Sequence, residues 1–245
     1  MIHDALGRAF SFPSPPRCVV SLVPSLTETL FDLGAGDSVV AITDFCIFPE
    51  NLPQPRVGGT KNPRIEAIRA LGPDLVHMNL EENQRRHAEE LETFTRVFTT
   101  EPKTLKDVEQ LFVTLGAIHH RDPAPLVEKL RAARAALPPR SFTFAVPIWK
   151  RPWMWCGGDT YVSRLVEATG GTNVLASHAR YPQVDPDDVR ADVIFLPDEP
   201  YAFTKEDRAT FPDARVIGPF RGHLFTWHGS RTILGLQWLG DALKT

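Results

Sequence analysis

Three tryptophans, Trp149, Trp153 and Trp155, fall within a seven-residue stretch, with Lys150 and Arg151 beside the first and Cys156 after the last. Such a cluster offers large, stiff aromatic area to a flat, mostly apolar partner, and nearby cations can meet carboxylate or amide fringes. A second aromatic stretch, 220–228, carries Phe220, Arg221, His223, Trp227 and His228. A neutral imidazole there could bind a metal directly or serve as the lower ligand of a chelated one. Cys46, Cys156 and His223 could also form a thiolate–imidazole site, although the cysteines have no zinc-finger spacing. Each feature has a plainer reading: Trp153 and Trp155 as cover for a core, Lys61, Arg151 and Arg221 as solvated charge, and His77 as a core residue within a strand pattern. Cys18 reads as a small buried residue.

The elements that would position these groups alternate regularly. Compact β-branched or apolar runs at 17–23, 38–43, 74–79, 96–100, 141–146, 193–196 and 215–217 predict strands. Amphipathic runs at 62–71, 83–93, 104–118, 160–169 and 230–243 predict helices, with a shorter one at 204–209. Ser25-Leu26-Thr27-Glu28 has capping-box form, Asp159 is the expected cap of the helix that follows it, and Gly34, Gly72 and Gly170 fall where helices should stop. Strands alternating with helices predict an α/β fold with parallel sheets covered on both faces. In the middle, Asp122 and Pro123 open a helix with Leu126, Leu130, Ala133 and Leu137 on one side, and Pro138-Pro139 ends it. The same grammar on either side predicts two α/β lobes, 1–121 and 138–245, joined by the helix 122–137.

In open α/β sheets ligands bind beyond the carboxyl ends of the strands, so the loops after each strand are the candidates. They supply Ser25, Phe45, Phe48, Thr60, Lys61, Trp149, Arg151, Trp153, Trp155, Phe220, Arg221 and Trp227 as candidate ligand contacts. Their aromatic content suits a planar ring with polar edges.

A formal net charge of −3 and the absence of basic runs argue against a general grip on nucleic acid. No apolar run is long enough to span a membrane, and the opening residues MIHDALGRAFSFPSPPR lack the pattern of a secretory signal, which predicts a cytosolic chain. Three scattered cysteines suit a reducing compartment. There is no G-x-S-x-G, no Walker A loop and no H-E-x-x-H, so no catalytic set can be named and no cofactor is required.

Taken together, Asp4-Ala5-Leu6-Gly7-Arg8, the run Arg17 to Glu28, Gly58-Gly59-Thr60 followed by Ile65 to Val76, and Gly157-Gly158-Asp159-Thr160 leading to Gly170 to Val174 resemble the helical-backbone metal receptors. These are class III periplasmic-binding-protein-like receptors that bring cobalamin, haem or ferric siderophores to ABC importers, and the cobalamin-binding branch is the most similar. The resemblance implies two α/β lobes, one rigid linking helix, a ligand held in a largely preformed cleft, and a compartment outside the cytoplasmic membrane. The implied function is non-catalytic binding of a metal chelate, a corrinoid first and haem or a ferric siderophore next, with an ABC permease and ATPase as partners. It also implies that Glu66 presents a carboxylate to transporter arginines, with Glu206 as its counterpart on the other lobe. From a different class stands a cytosolic metal-handling protein or metallo-enzyme using Cys46, Cys156 and His223.

Overall fold

The computed structural model describes residues 1–244, which divide into two compact units. Unit 1 comprises 1–102 and 106–129, and unit 2 comprises 103–105 and the chain from Leu130 onward.

Unit 1 opens with a small antiparallel pair, β1 (Ile2–His3) and β2 (Ala9–Phe10). The turn between them is the Asp4 to Arg8 motif. Asp4 Oδ1 accepts the amides of Leu6 and Arg8 at 3.0 and 2.9 Å, and Gly7 takes the left-handed conformation the turn needs, φ 75°. The chain then runs through β3 (Val19–Ser21), α1 (Pro24–Asp32), β4 (Val39–Ile42), a hairpin of β5 (Gly58–Gly59) and β6 (Asn62–Pro63), and α2 (Ile65–Leu71). After these come β7 (Leu75–Asn79), α3 (Arg85–Leu91), β8 (Val97–Thr100), α4 (Leu105–His119) and α5 (Ala124–Ala135). The main sheet has the order β4-β3-β7-β8, all parallel. Every residue of β3 and β7 is buried, as expected for central parallel strands covered on both faces. Val20, Leu22, Ala41, Ile68, Val76, Met78, Leu91 and Val97 form one core cluster of this unit. The middle helix runs over twelve residues, with Asp122 Oδ1 accepting the Ala124 amide at 3.0 Å, and the boundary between the units falls within it.

Unit 2 repeats the plan: β9 (Phe142–Ala145), a hairpin of β10 (Pro147–Trp149) and β11 (Met154–Trp155), α6 (Tyr161–Glu167), β12 (Gly171–Asn173), β13 (Val193–Pro197), β14 (Arg215–Phe220), α7 (His223–Thr226) and α8 (Arg231–Ala242). Its sheet has the order β12-β9-β13-β14, again all parallel. Numbered within each sheet by chain order, both read 2-1-3-4. The α/β class with parallel sheets is as the alternating pattern predicts.

Several local expectations are corrected. Helix α1 starts at Pro24 with Val23 as its N-cap and no capping side chain, so Ser25 to Glu28 are not a capping box. Proline at the first position already lacks the orphan amide a cap would serve. Ser25 sits inside the helix, its carbonyl accepting Thr29 Oγ1 at 2.7 Å. Helix α6 is capped by Thr160, whose hydroxyl accepts the Ser163 amide at 3.3 Å, while Asp159 accepts the Arg180 amide instead. Residues 147–155 form a hairpin with a register shift rather than a plain loop, and 206–210 form a 3-10 turn.

His77 lies in the core as expected, and it is paired. Its Nε2 is 2.9 Å from His119 Nε2, both residues are buried, and burial drives both imidazoles down, His119 to about 4 and His77 well below its ordinary value.

Candidate functional site

In a sheet of order 2-1-3-4 the connections diverge at the first strand, leaving a crevice between the carboxyl ends of strands 1 and 3. In unit 1 that point lies between β3 and β7, in unit 2 between β9 and β13.

At the edge of unit 1, buried Asn83 ties three segments together. Its Nδ2 donates to Leu22 O at 3.0 Å, just past β3, and to Thr60 O at 2.9 Å, in the tip of the β5–β6 hairpin. Its Oδ1 accepts the Asn79 amide at 2.8 Å, at the end of β7. Asn79 Oδ1 in turn accepts the Glu81 amide at 2.8 Å, and Lys61 Nζ donates to Glu81 O. Against the hairpin of this frame lies the exposed Phe45 ring (59% exposed), with Leu80 beside the frame, and Ile47 (53%) is exposed in the same loop as Phe45. A pocket of about 400 Å³ is lined in part by Leu6, Met78, Leu80, Asn83 and Gln84.

The edge of unit 2 is aromatic. Trp155 is fully buried; Trp153 stacks on it at 5.8 Å; Phe203 stacks on Trp153 at 5.7 Å; Tyr201 packs on Phe203 at 4.8 Å. Trp149 closes the series against Tyr201 at 5.4 Å and is 42% exposed. The ladder thus climbs from the core to the surface, from β11 to the loops following β9 and β13. The hairpin carrying it is stapled by Lys150, which pairs with buried Asp207 and lies 5.6 Å from the Trp153 ring. Burial is the largest influence on Asp207 and opposes its ionisation, yet the hydrogen bond and charge of Lys150 and the hydrogen bonds from Thr204 together outweigh it and hold the carboxyl below the usual range. Exposed Arg151 occupies a left-handed position, φ 68°, at the hairpin turn.

Beyond β14 the chain is held by acids. Asp198 Oδ1 accepts the Gly222 amide at 2.7 Å, and Glu199 accepts Thr226 Oγ1 at 2.6 Å and the Trp227 indole. Burial raises the Glu199 carboxyl above its usual range. His223 lies 5.7 Å from Trp227, and burial, aided by Arg231 and Arg221, lowers it to about 4, so it is neutral at pH 7 and keeps a lone pair.

The predicted contacts therefore separate. Phe45, Lys61, Trp149, Arg151 and Arg221 are exposed at the carboxyl edges, while Phe48, Trp153 and Trp227 are half-buried there. Trp155 belongs to the core, the plainer of its two readings, and Phe220 is wedged between Phe225 and Trp238 at 4.6 and 4.4 Å. Ser25 and Thr60 are buried and offer backbone and support rather than surface. Cys46 is buried in unit 1, its thiol between Thr27 and Thr43 at 3.2 and 3.1 Å, whereas buried Cys156 and His223 belong to unit 2. No group of three or more His, Cys, Asp or Glu able to hold a metal occurs among the described residues, and the three-residue metal site is set aside. Asn83 and Tyr201 lie in loops the strand rule selects, but nothing in their types or spacing singles them out beforehand.

The two α/β units thus share one topology and carry a polar frame at one carboxyl edge and an aromatic ladder at the other. A family model described as periplasmic binding protein matches residues 19–213, and the chain belongs to that family. It is 29% identical over 183 residues to the vitamin B12-binding protein of Vibrio vulnificus strain YJ016, across 70% of this chain and 66% of that one, just under two-thirds of the relative's length. In structure it is similar to the periplasmic vitamin B12 binding protein of Vibrio cholerae (TM-score 0.75, 21% identity, 95% and 98% of the two chains). It is likewise similar to a periplasmic heme-binding protein from Roseiflexus sp. RS-1 (TM-score 0.78, 20% identity, 92% and 97%). These relatives are binding proteins, not enzymes. The metallo-enzyme alternative has no support among them, and the family, described as periplasmic, is at odds with the cytosolic expectation and agrees with the compartment the resemblance implies. No helix among the described residues is long and apolar enough to cross a membrane.

Proposed function

We propose that the protein is the solute-binding component of an ABC importer whose cargo is a flat metal chelate, a corrinoid in the first place and haem or a ferric siderophore otherwise. The observation that carries this reading is the ladder ending in Trp149. A contiguous aromatic series, stacked at its root in the core and edge-to-face at its tip, presents a stiff aromatic face at the carboxyl edge, where a planar macrocycle buries area at little entropic cost. Relatives named for binding vitamin B12 and heme support the same class of cargo. The candidate contacts are Phe45, Lys61, Trp149, Arg151 and Arg221, with Tyr201 and Trp153 behind Trp149. Calorimetric and absorbance titration with cyanocobalamin, haemin and a ferric siderophore tests the reading. Saturable binding of one of them is expected, and silence toward all three refutes it.

Glu66 and Glu206 fit the partner side of the proposal. Glu66 is exposed in the first turn of α2, 3.5 Å from Arg69, and Glu206 is exposed at the start of its 3-10 turn. The hydrogen bond with Thr204 lowers the Glu206 carboxyl, which favours its charge. Both carboxylates are available to arginines of a permease.

A further inference from the structure

Asn83 is 7% exposed, and its amide makes three hydrogen bonds: two donated to carbonyls and one accepted from an amide, each in a different segment of the unit 1 edge. Few side chains can replace it. Aspartate has the shape but no donors when ionised, leucine has neither donor nor acceptor, and glutamine adds a methylene to a packed position.

The consequences run outward along the hairpin. Thr60, whose carbonyl Asn83 holds, follows Gly59, where a Cβ would lie 3.0 Å from the Phe45 ring and 2.5 Å from Asn62 Oδ1. The Phe45 ring therefore rests directly on the hairpin backbone. Being 59% exposed, it has little other packing to fix it. Thr60 also precedes Lys61, whose ammonium meets Glu81 O, and the Glu81 amide is held by Asn79 within the same network. Both exposed candidate contacts of this edge thus touch segments that the one buried amide holds.

We infer that Asn83 is a positioning residue for ligand binding, setting Phe45 and Lys61 in place through Thr60 and Gly59 before the ligand arrives. The inference rests on the binding function proposed above, and it gives unit 1 a way to contribute affinity through preorganisation rather than through added contact.

The test compares wild type with Asn83→Asp in the full chain, with Asn83→Ser, which keeps one donor and no charge, as the substitute should the aspartate variant not fold. Amide hydrogen exchange is expected to quicken about tenfold at residues 58–61 and 79–83, with unit 2 unchanged. The Kd for whichever of cyanocobalamin, haemin and the ferric siderophore the wild type binds should rise about tenfold. In a Phe45→Ala background the same substitution should cost less, because one of the two residues it acts through is gone. Unchanged exchange at 58–61, unchanged affinity, or a fully additive penalty in the Phe45→Ala background each overturns the inference. If the wild type binds none of the three probes, the functional reading fails, and the exchange data alone decide the positioning role, faster local exchange supporting it and wild-type exchange refuting it.

Discussion

The two units share one strand order, yet the crevice at the first strand is spanned in opposite chemical styles. In unit 1 Asn83 bridges from the loop after β7 to Leu22 after β3 by a directional hydrogen bond, and further bonds reach the neighbouring hairpin. In unit 2 Trp149, beyond β9, leans on Tyr201, beyond β13, in an edge-to-face contact that continues inward through the tilted pair of Tyr201 and Phe203 to the stack of Phe203, Trp153 and Trp155. Topology decides where a site can form, and the loops decide what it grips. Hydrogen-bonded frames fix geometry with little area, whereas aromatic ladders supply area with looser geometry. The expected division of labour is that unit 2 provides most of the affinity and unit 1 fixes orientation.

That division can be broken first within the ladder. Replacing Trp155 with alanine should destabilise the protein by about 3–5 kcal/mol, the cost of emptying a fully buried tryptophan site. Trp149→Ala should instead leave denaturation nearly unchanged and weaken ligand binding by about ten- to a hundredfold, with Phe45→Ala costing less. Equal destabilisation by the two tryptophan substitutions in urea would show that the whole ladder is core.

Acid should act on both units alike. His119 in unit 1 and His228 in unit 2 are held near 4 by burial, against an ordinary value of 6.5. Because the folded protein resists protonating them, their stabilisation is present above 6.5 and fades as pH falls toward 4. Each should take away about 2 kcal/mol between pH 7 and 5. Urea unfolding at the two pH values measures this, and stability that holds or rises at pH 5 contradicts it.

The smallest effect is expected at the partner side. Glu66→Gln removes an exposed pair with Arg69 and should change stability by less than about 0.5 kcal/mol and ligand affinity not at all. Together with Glu206→Gln it should slow ligand uptake by a reconstituted importer. Undiminished uptake by the double variant would remove both carboxylates from the docking role.

The fold was largely visible because buried parallel strands announce themselves as apolar runs, unbroken in Val193 to Leu196 and interrupted only by His77 in Leu75 to Met78. Strand β12 was not, since Gly171-Thr172-Asn173 has no β-branched run and pairs only through its neighbour Phe142 to Phe144. The site was legible as loops but not as residues. Trp149 and Trp155 are the same residue type on the two arms of one hairpin, and only packing against Trp153 and Phe211 decides that Trp155 is the buried one. Asn83 gives no signal at all, because its partners are backbone groups whose proximity exists only once β3, β5 and β7 are assembled.

The Asp4 to Arg8 turn does more than close a small hairpin. Strand β8 ends its sheet, and along its open side the carbonyls of Val97 and Thr99 accept from Arg8 Nη2 and the Ala5 amide, each at 2.9 Å. An unpaired row of carbonyls is a template on which a strand of another molecule can add itself. By occupying that row with a tight turn and an arginine, the first residues of the chain shield it from edge-to-edge aggregation while leaving the carboxyl ends of the strands open for binding.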